Sequence, residues 1–278
     1  MSLVLVTGAS GFVGRHVLAI LRAGGVPLRL VTRPHRAEFL SNACPEAQLL
    51  LSPDLFLEDR LWWTAACTGV DTVLHLAWHA EPKTYLTSPL NLACLKGSID
   101  LAQGALAAGV RRFMGIGTCA EYDLTDGSLY PDSPLRPTNL YAAAKAGLFQ
   151  TLSQFLPQQG VSFLWARLFY LYGEGEPPDR LVPYLRRELA AGRSVQLSSG
   201  GQIRDYLPIE SAASQICDLA LGETQGATNV CSSVATTVRE MAERIADEFG
   251  RRDLLEFGAR PENLFDPPRI VGFNTPSP

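Results

Sequence analysis

Tyr141 and Lys145 are the pair in this chain best equipped to move a proton. They lie four residues apart in Asn139-Leu-Tyr-Ala-Ala-Ala-Lys145 and so share one face of a helix. An ammonium beside a phenol favours the phenolate, so the pair is expected to lower the tyrosine pKa towards the range useful for proton transfer. The chain has three lysines, at 83, 96 and 145, against eight tyrosines, so abundance of lysine does not explain the spacing. The alanines at 142, 143 and 144 imply a helix pressed against a neighbour, which weighs against a solvated surface pair.

A second chemical stretch opens the chain. Leu3-Val-Leu-Val-Thr7 reads as a buried parallel strand, and Gly8-Ala-Ser-Gly11-Phe-Val-Gly14 places three glycines at a spacing of three. Apolar residues at 13, 17, 18 and 21 then mark one face of a helix. Strand, glycine turn and helix form the context that a dinucleotide fingerprint requires, whereas a ligand-free glycine connection is the plainer alternative. Gly8 permits the tight turn, Gly11 clears the way for a pyrophosphate at the helix N-terminus, and Gly14 allows close helix–strand packing. A second strand, Pro27–Thr32, ends at Arg33, with Arg36 close by and no carboxylate before Glu38. An acidic residue there would hydrogen-bond a free ribose 2′-hydroxyl, whereas arginine neutralises a 2′-phosphate, so NADP(H) is expected over NAD(H).

These residues need a frame. Strands are expected at 47–52, 70–77, 111–117 and 161–168, with helices at 59–68, 91–108 and 139–156 between them. That alternation means an α/β fold with a doubly wound parallel sheet of the Rossmann type over residues 1–173. Asp54, after the third strand, can accept an adenine amino group or cap the following helix. The fourth strand ends at Leu76 and Ala77, where small residues let a cofactor approach the backbone. Beyond it, Trp78 to Tyr85 form a polar-aromatic loop at the carboxyl edge of the sheet, where ligands bind in this architecture. From 174 the rhythm changes to a smaller α/β lobe over 174–278, from which segments such as 203–221 can return to the first domain. The tail from Gly258 is rich in proline, and its last residues are expected to be poorly ordered.

Bulk composition narrows the class. A net charge of −4 and 46% hydrophobic residues suit an ordinary enzyme and give no electrostatic reason to expect nucleic acid or an acidic membrane surface. No apolar run approaches a membrane span, and the chain enters its first strand at once, so a cytoplasmic location is expected. Six cysteines, at 44, 67, 94, 119, 217 and 231, show no CxxC pair or histidine cluster and read as reduced core fillers, with no metal site.

Taken together, Thr7-Gly-x-x-Gly-Phe-Val-Gly14, His75-Leu-Ala77, Thr118, Tyr141-x-x-x-Lys145, Arg167-Leu-Phe-x-x-Tyr-Gly173 and Arg204-Asp-Tyr206 resemble the extended short-chain dehydrogenase/reductase superfamily. The resemblance is to its nucleotide-sugar epimerase, dehydratase and reductase branch and runs over nearly the whole chain. It implies that Tyr141 exchanges a proton with the substrate oxygen, that Lys145 holds the nicotinamide ribose, and that Thr118 hydrogen-bonds the reacting oxygen. Cofactor contacts are then expected from Gly8, Ser10, Gly11, Phe12, Val13, Gly14, Arg33, Asp54, Leu55, Leu76, Ala77 and Phe169, besides Tyr141 and Lys145. Arg204 would pair with the substrate diphosphate, Tyr85 would line the sugar site, and Glu121 would contact substrate or serve as a salt-bridge partner; Asp205 reads as structural.

Departures from the family pattern refine the expectation. Sugar 4,6-dehydratases carry Asp-Glu after the catalytic Thr, where this chain has Cys119 and Ala120; many epimerases carry Asn where this chain has Tyr170. Gly117-Thr-Cys-Ala-Glu-Tyr122, with Trp78 and Tyr85, looks most like reductases of nucleotide-linked 4-keto-6-deoxy sugars. A 4-epimerase with tightly held NAD is the alternative, and a silent cofactor-binding regulator the remote one. By analogy with the superfamily, a homodimer through the helices near 91–108 and 139–156 is expected.

Overall fold

The computed structural model describes residues 2–263, 266–275 and 277. Along the chain come β1 (Val4–Thr7), α1 (Phe12–Ala23), β2 (Leu28–Thr32), α2 (Ala37–Ala43), β3 (Gln48–Leu51), α3 (Arg60–Ala66), β4 (Thr72–His75), α4 (Leu90–Ala107) and β5 (Arg112–Thr118). The two-residue β6 (Ser128–Leu129) precedes α5 (Leu140–Gln158), β7 (Ser162–Leu168) and β8 (Tyr170–Tyr172). After these follow α6 (Leu181–Ala190), β9 (Val195–Leu197), β10 (Ile203–Pro208), α7 (Ile209–Leu221) and β11 (Gly226–Val230). The chain closes with β12 (Ala235–Thr237), α8 (Val238–Asp247), β13 (Leu255–Phe257) and β14 (Arg269–Gly272).

Seven strands form one parallel sheet in the order β11-β7-β5-β4-β1-β2-β3. Winding runs outward from β1 through β2 and β3, then reverses through β4, β5 and β7. The reversal leaves a crevice beyond the carboxyl ends of β1 and β4, where Thr7 pairs in register with His75. One face of the sheet buries Val17, Leu18 and Leu21 of α1 together with Ala212, Ala213 and Ile216 of α7. The other buries Trp63 of α3, Leu101 and Ala105 of α4, and Leu148 and Leu152 of α5. Strands covered on both faces by helices carry near-continuous apolar runs, which is why β1, β4 and β5 stood out in the sequence.

Residues 209–230 belong to this large sheet: α7 packs beside α1, and β11 adds the seventh strand against β7. The sequence hid β11 because Gly-Ala-Thr-Asn-Val has no apolar run. The lobe has its own small core of Val182, Leu185, Leu189, Met241 and Ile245, and a second sheet in which β10 pairs with β8, β12 and β14. The tail is tied down further than expected. Its β14 pairs with β10 and β6, and Ser277 donates to Asp132 from both its N–H and its hydroxyl; Pro276 and Pro278 lie outside the described residues. Among the described residues no helix is long and apolar enough to cross a membrane, and no cluster of His, Cys, Asp or Glu is placed to hold a metal.

Candidate active site

The glycine turn leaves β1 at Thr7 and reaches α1 at Phe12. Gly8 has a φ of +76°, and a Cβ there would stand 2.7 Å from the backbone nitrogen of Ala77, so the turn sits directly against the end of β4. A Cβ at Gly14 would overlap the Gly8 carbonyl and lie 2.8 Å from the Ala9 Cα, so this glycine serves helix–strand contact. A Cβ at Gly11 meets only the Gly8 carbonyl, at 3.3 Å, so the space in front of the α1 N-terminus stays open to a ligand. This cradle fits a dinucleotide pyrophosphate, with Ser10, Phe12 and Val13 only partly covered around it.

Thr7 and Ala77 are held together by a directed hydrogen-bond chain. Ser98 Oγ donates to the Cys94 carbonyl at 2.7 Å, so it must accept from His75 Nε2 at 2.8 Å. His75 Nδ1 is then the acceptor for the Thr7 hydroxyl at 2.7 Å, and the Thr7 oxygen accepts the Ala77 N–H at 3.2 Å. Burial, and after it the charge on Lys145, pushes the His75 pKa down to about 3, so the imidazole stays neutral and the chain keeps its direction.

Thr118, Tyr141 and Lys145 come together where β5 meets α5. Thr118 ends β5 with its side chain near enough to the Tyr141 hydroxyl to favour its ionisation. Asn139 caps α5 by accepting the Ala142 N–H at 3.0 Å, which fixes the helix start just before Tyr141. Buried Lys145 donates from Nζ to the Ile116 carbonyl at 2.5 Å and lies 3.9 Å from the centre of the Trp78 ring. Burial draws its pKa down to about 7, against the opposing charge of Glu121.

The expected depression of the Tyr141 pKa does not occur in this state. Burial, Tyr85 and the Glu121 carboxylate raise it, and only the Thr118 side chain pulls the other way. The physical reason is that the Lys145 amine is turned to a carbonyl and an indole face and is itself close to neutrality. Tyr85 is brought to this centre as well, its ring edge-on to Tyr141 at 5.0 Å.

Three other expectations are narrowed. Glu121 faces no ligand space: fully buried, it accepts from the Thr118 N–H at 2.9 Å, from Trp165 Nε1, and from Arg167 Nε at 2.7 Å. It is the salt-bridge partner, and it fixes Thr118 from behind. Asp54 does not cap the following helix, since Asp59 accepts the Trp62 N–H at the head of α3 while Asp54 accepts that of Phe56. Leu55 beside it is half-buried in the core. The Phe169 ring packs with Cys119, Leu129 and Ile270 against Gly272, so only its backbone is left to face a cofactor. Arg33 is exposed at the end of β2, as a residue meeting a ribose phosphate would be, and Leu76 is half-exposed beside Ala77.

Arg204 lies in the lobe, on β10, in a cleft of about 400 Å³ lined also by Tyr170, Glu176, Arg180, Gln202 and Arg260. Its side chain is buried, with Nη2 2.6 Å from Asp266 Oδ2 and Nη1 donating to the Ile203 carbonyl. Asp205 turns away, accepting from the backbone N–H groups of Ser232, Ser233 and Gly272, which is a structural role. Apart from Arg204, Tyr170 and the motif residues Tyr172 and Tyr206, the cleft residues were not singled out in the sequence. Arg180, Gln202, Arg260 and Asp266 come from three separate segments that only the lobe fold unites. Burial raises the Glu176 pKa to about 7 and lifts those of Tyr170 and Tyr206 above their ordinary value.

Comparison with known proteins agrees with this geometry. The dTDP-6-deoxy-L-talose 4-dehydrogenase (NAD(+)) of Aggregatibacter actinomycetemcomitans is 24% identical over 97% of this chain and 98% of its own length. The GDP-6-deoxy-D-mannose reductase of Pseudomonas aeruginosa is 29% identical over 88% of this chain and 79% of its own. In fold, the chain superimposes with a TM-score of 0.87 on the UDP-N-acetylglucosamine 4-epimerase of Methanobrevibacter ruminantium, at 21% identity over 99% of this chain and 90% of that one. The profile of the NAD dependent epimerase/dehydratase family matches residues 4–231, and the chain belongs to that family of nucleotide-sugar oxidoreductases.

Proposed function

We propose that this protein is an NADPH-dependent reductase of a nucleotide-activated 4-keto-6-deoxy sugar. The observation that carries the reading is the Thr118–Tyr141 hydroxyl pair, with a phenol whose raised pKa keeps it protonated at neutral pH. Net reduction of a ketone needs an acid beside the carbonyl oxygen, and a protonated tyrosine with a threonine hydroxyl next to it supplies that acid and a second hydrogen bond. The dinucleotide, when bound, supplies the hydride. Tyr141 would give its proton to the C4 oxygen as the charge develops there, Thr118 would orient that oxygen, and Lys145 would hold the ribose beside them. Cys119 and Ala120 leave no carboxylate pair for water elimination, and Cys119 is a buried neutral thiol whose pKa burial pushes up to about 12. The two relatives named for oxidation or reduction of nucleotide-linked 6-deoxy sugars support a net redox role.

The exposed Arg33 supports NADP(H), and the arginine-lined lobe cleft supports a dianionic diphosphate on the substrate. Pairing of two copies through α4 and α5 belongs to the same proposal and is checked by light scattering. The deciding experiment follows NADPH and NADH oxidation against a panel of nucleotide 4-keto-6-deoxy sugars. Tyr141→Phe should abolish turnover while leaving NADPH affinity within about threefold, because the lost hydroxyl acts on the reacting oxygen. If neither reduced cofactor is consumed and NAD stays bound through gel filtration, the activity is 4-epimerisation instead.

A further inference from the structure

The Lys145 amine is covered by a side chain that the reading above does not use. Trp78 presents its ring face to Nζ at 3.9 Å and donates from Nε1 to Asn91 Oδ1 at 2.8 Å. The Asn91 amide has no freedom to turn. Its Nδ2 donates to the Tyr85 carbonyl at 2.6 Å and to the Ser88 carbonyl at 2.9 Å, which commits Oδ1 to the indole. Asn91 is fully buried, and His79 further pins the loop by donating its N–H to Cys94 Sγ at 3.4 Å. A fixed amide thus holds an indole from behind and aims its face at one cation.

We propose that Trp78, oriented by Asn91, is a positioning residue for Lys145: the indole face holds the amine against the Ile116 carbonyl, on the helix face that Lys145 shares with Tyr141. The placement is read from geometry alone; only its consequence for turnover rests on the function proposed above.

The groups that face Lys145 leave this task to few partners. Cys94 on α4 is a neutral thiol whose pKa burial raises, and His75 on β4 is a neutral imidazole. Tyr141 is protonated one turn back on α5, and Glu121, from the turn after β5, is already paired with Arg167. Besides the charge of Glu121, which acts on the amine without touching it, the contacts that favour the charged amine against its burial are the Ile116 carbonyl, the Trp78 ring face at 3.9 Å and, more distantly, the Trp165 ring at 5.7 Å.

The test exploits the small lysine count. With lysines only at 83, 96 and 145, 13Cε-lysine NMR gives three titrating signals. The Lys145 signal is assigned by its loss in Lys145→Arg, while Lys83 and Lys96 have side chains about three-quarters exposed and serve as references. Trp78→Leu keeps the site apolar but removes the ring face, so the Lys145 midpoint should fall by roughly 0.4–1.5 pH units. Trp78→Phe, with a weaker ring face and little lost volume, should fall by less, and Asn91→Ala should fall in the same direction. A midpoint unchanged in all three variants overturns the proposal. So does a rise, which would mean that Trp78 only excludes water. If Trp78→Leu does not fold, the Phe variant and Asn91→Ala decide by the same criterion. NADPH binding to the unaltered protein is measured alongside: its absence would refute the functional reading and leave the lysine titration to judge Trp78 on its own.

Discussion

Glu121→Gln should be among the most damaging single changes in the protein, although only one atom is exchanged. The carboxylate is fully buried, and three donors converge on it: the Thr118 N–H at 2.9 Å, Trp165 Nε1 at 3.1 and 3.2 Å, and Arg167 Nε at 2.7 Å. Glutamine would place an NH2 among these donors and leave the Arg167 guanidinium, itself 1% exposed, without a counter-charge. Removing one member of such a pair costs roughly 3–5 kcal/mol. At about 2–4 °C per kcal/mol for a chain of this size, the midpoint of thermal unfolding should fall by roughly 6–20 °C, read by calorimetry. The double variant Glu121→Gln, Arg167→Met removes the stranded cation and keeps an acceptor for Thr118 and Trp165, so it should recover more than half of the loss. A single variant that loses less than about 1 kcal/mol, or a double variant as unstable as the sum of its parts, refutes the uncompensated-charge argument. Where the single variant survives, withdrawal of the carboxylate should lower the pKa of both Tyr141 and Lys145, since its charge raises both.

Further outcomes follow from the same geometry. His75 has a folded-state pKa pushed below its unfolded value, to about 3, so the folded state takes up no proton where the unfolded chain does. Stability is therefore complete above about pH 6.5 and falls by about 1 kcal/mol per pH unit below it on account of this residue; urea melts from pH 7 to 5 should show a flatter slope for His75→Gln. An identical slope in the two proteins would remove His75 as the source. Gly14→Ala forces a methyl into the Gly8 carbonyl and should cost about 1–3 kcal/mol while weakening NADPH binding, read by denaturation and by fluorescence titration. Arg33→Ser should raise the KM for NADPH roughly 10- to 100-fold and leave that for NADH nearly unchanged, because only the 2′-phosphate loses a charged partner; equal effects on both would assign Arg33 to the solvated surface.

What the sequence disclosed, and what it withheld, divides along the range of the forces involved. The parallel strands β1 to β5 and β7 were legible because burial on both faces leaves apolar runs bounded by glycine and proline, and their observed limits fall within two residues of those expected. The glycine turn and the Tyr141–Lys145 spacing were legible because backbone approach and helical periodicity act over a few residues. The electrostatics of that pair was not, because it depends on Ile116, Trp78, Tyr85 and Glu121, which reach the site from separate segments of the chain. The same limit explains Glu121, whose role is set by Arg167, forty-six residues further on. It explains the missed strand too: Gly226–Val230 looks like a polar loop, yet Asn229 within it accepts from the Tyr122 hydroxyl and donates to the Leu129 and Phe273 carbonyls. Those three bonds join the large sheet to β6 and to the tail of the lobe. A residue that reads as loop-forming by composition thus ties β6 and the tail of the lobe to the large sheet, beside the turn that follows Thr118. Asn229→Ala should therefore loosen the β6 segment and the tail of the lobe, read as faster amide exchange there, before it disturbs the dinucleotide cradle, since the cradle is held by the separate Thr7–His75–Ser98 chain.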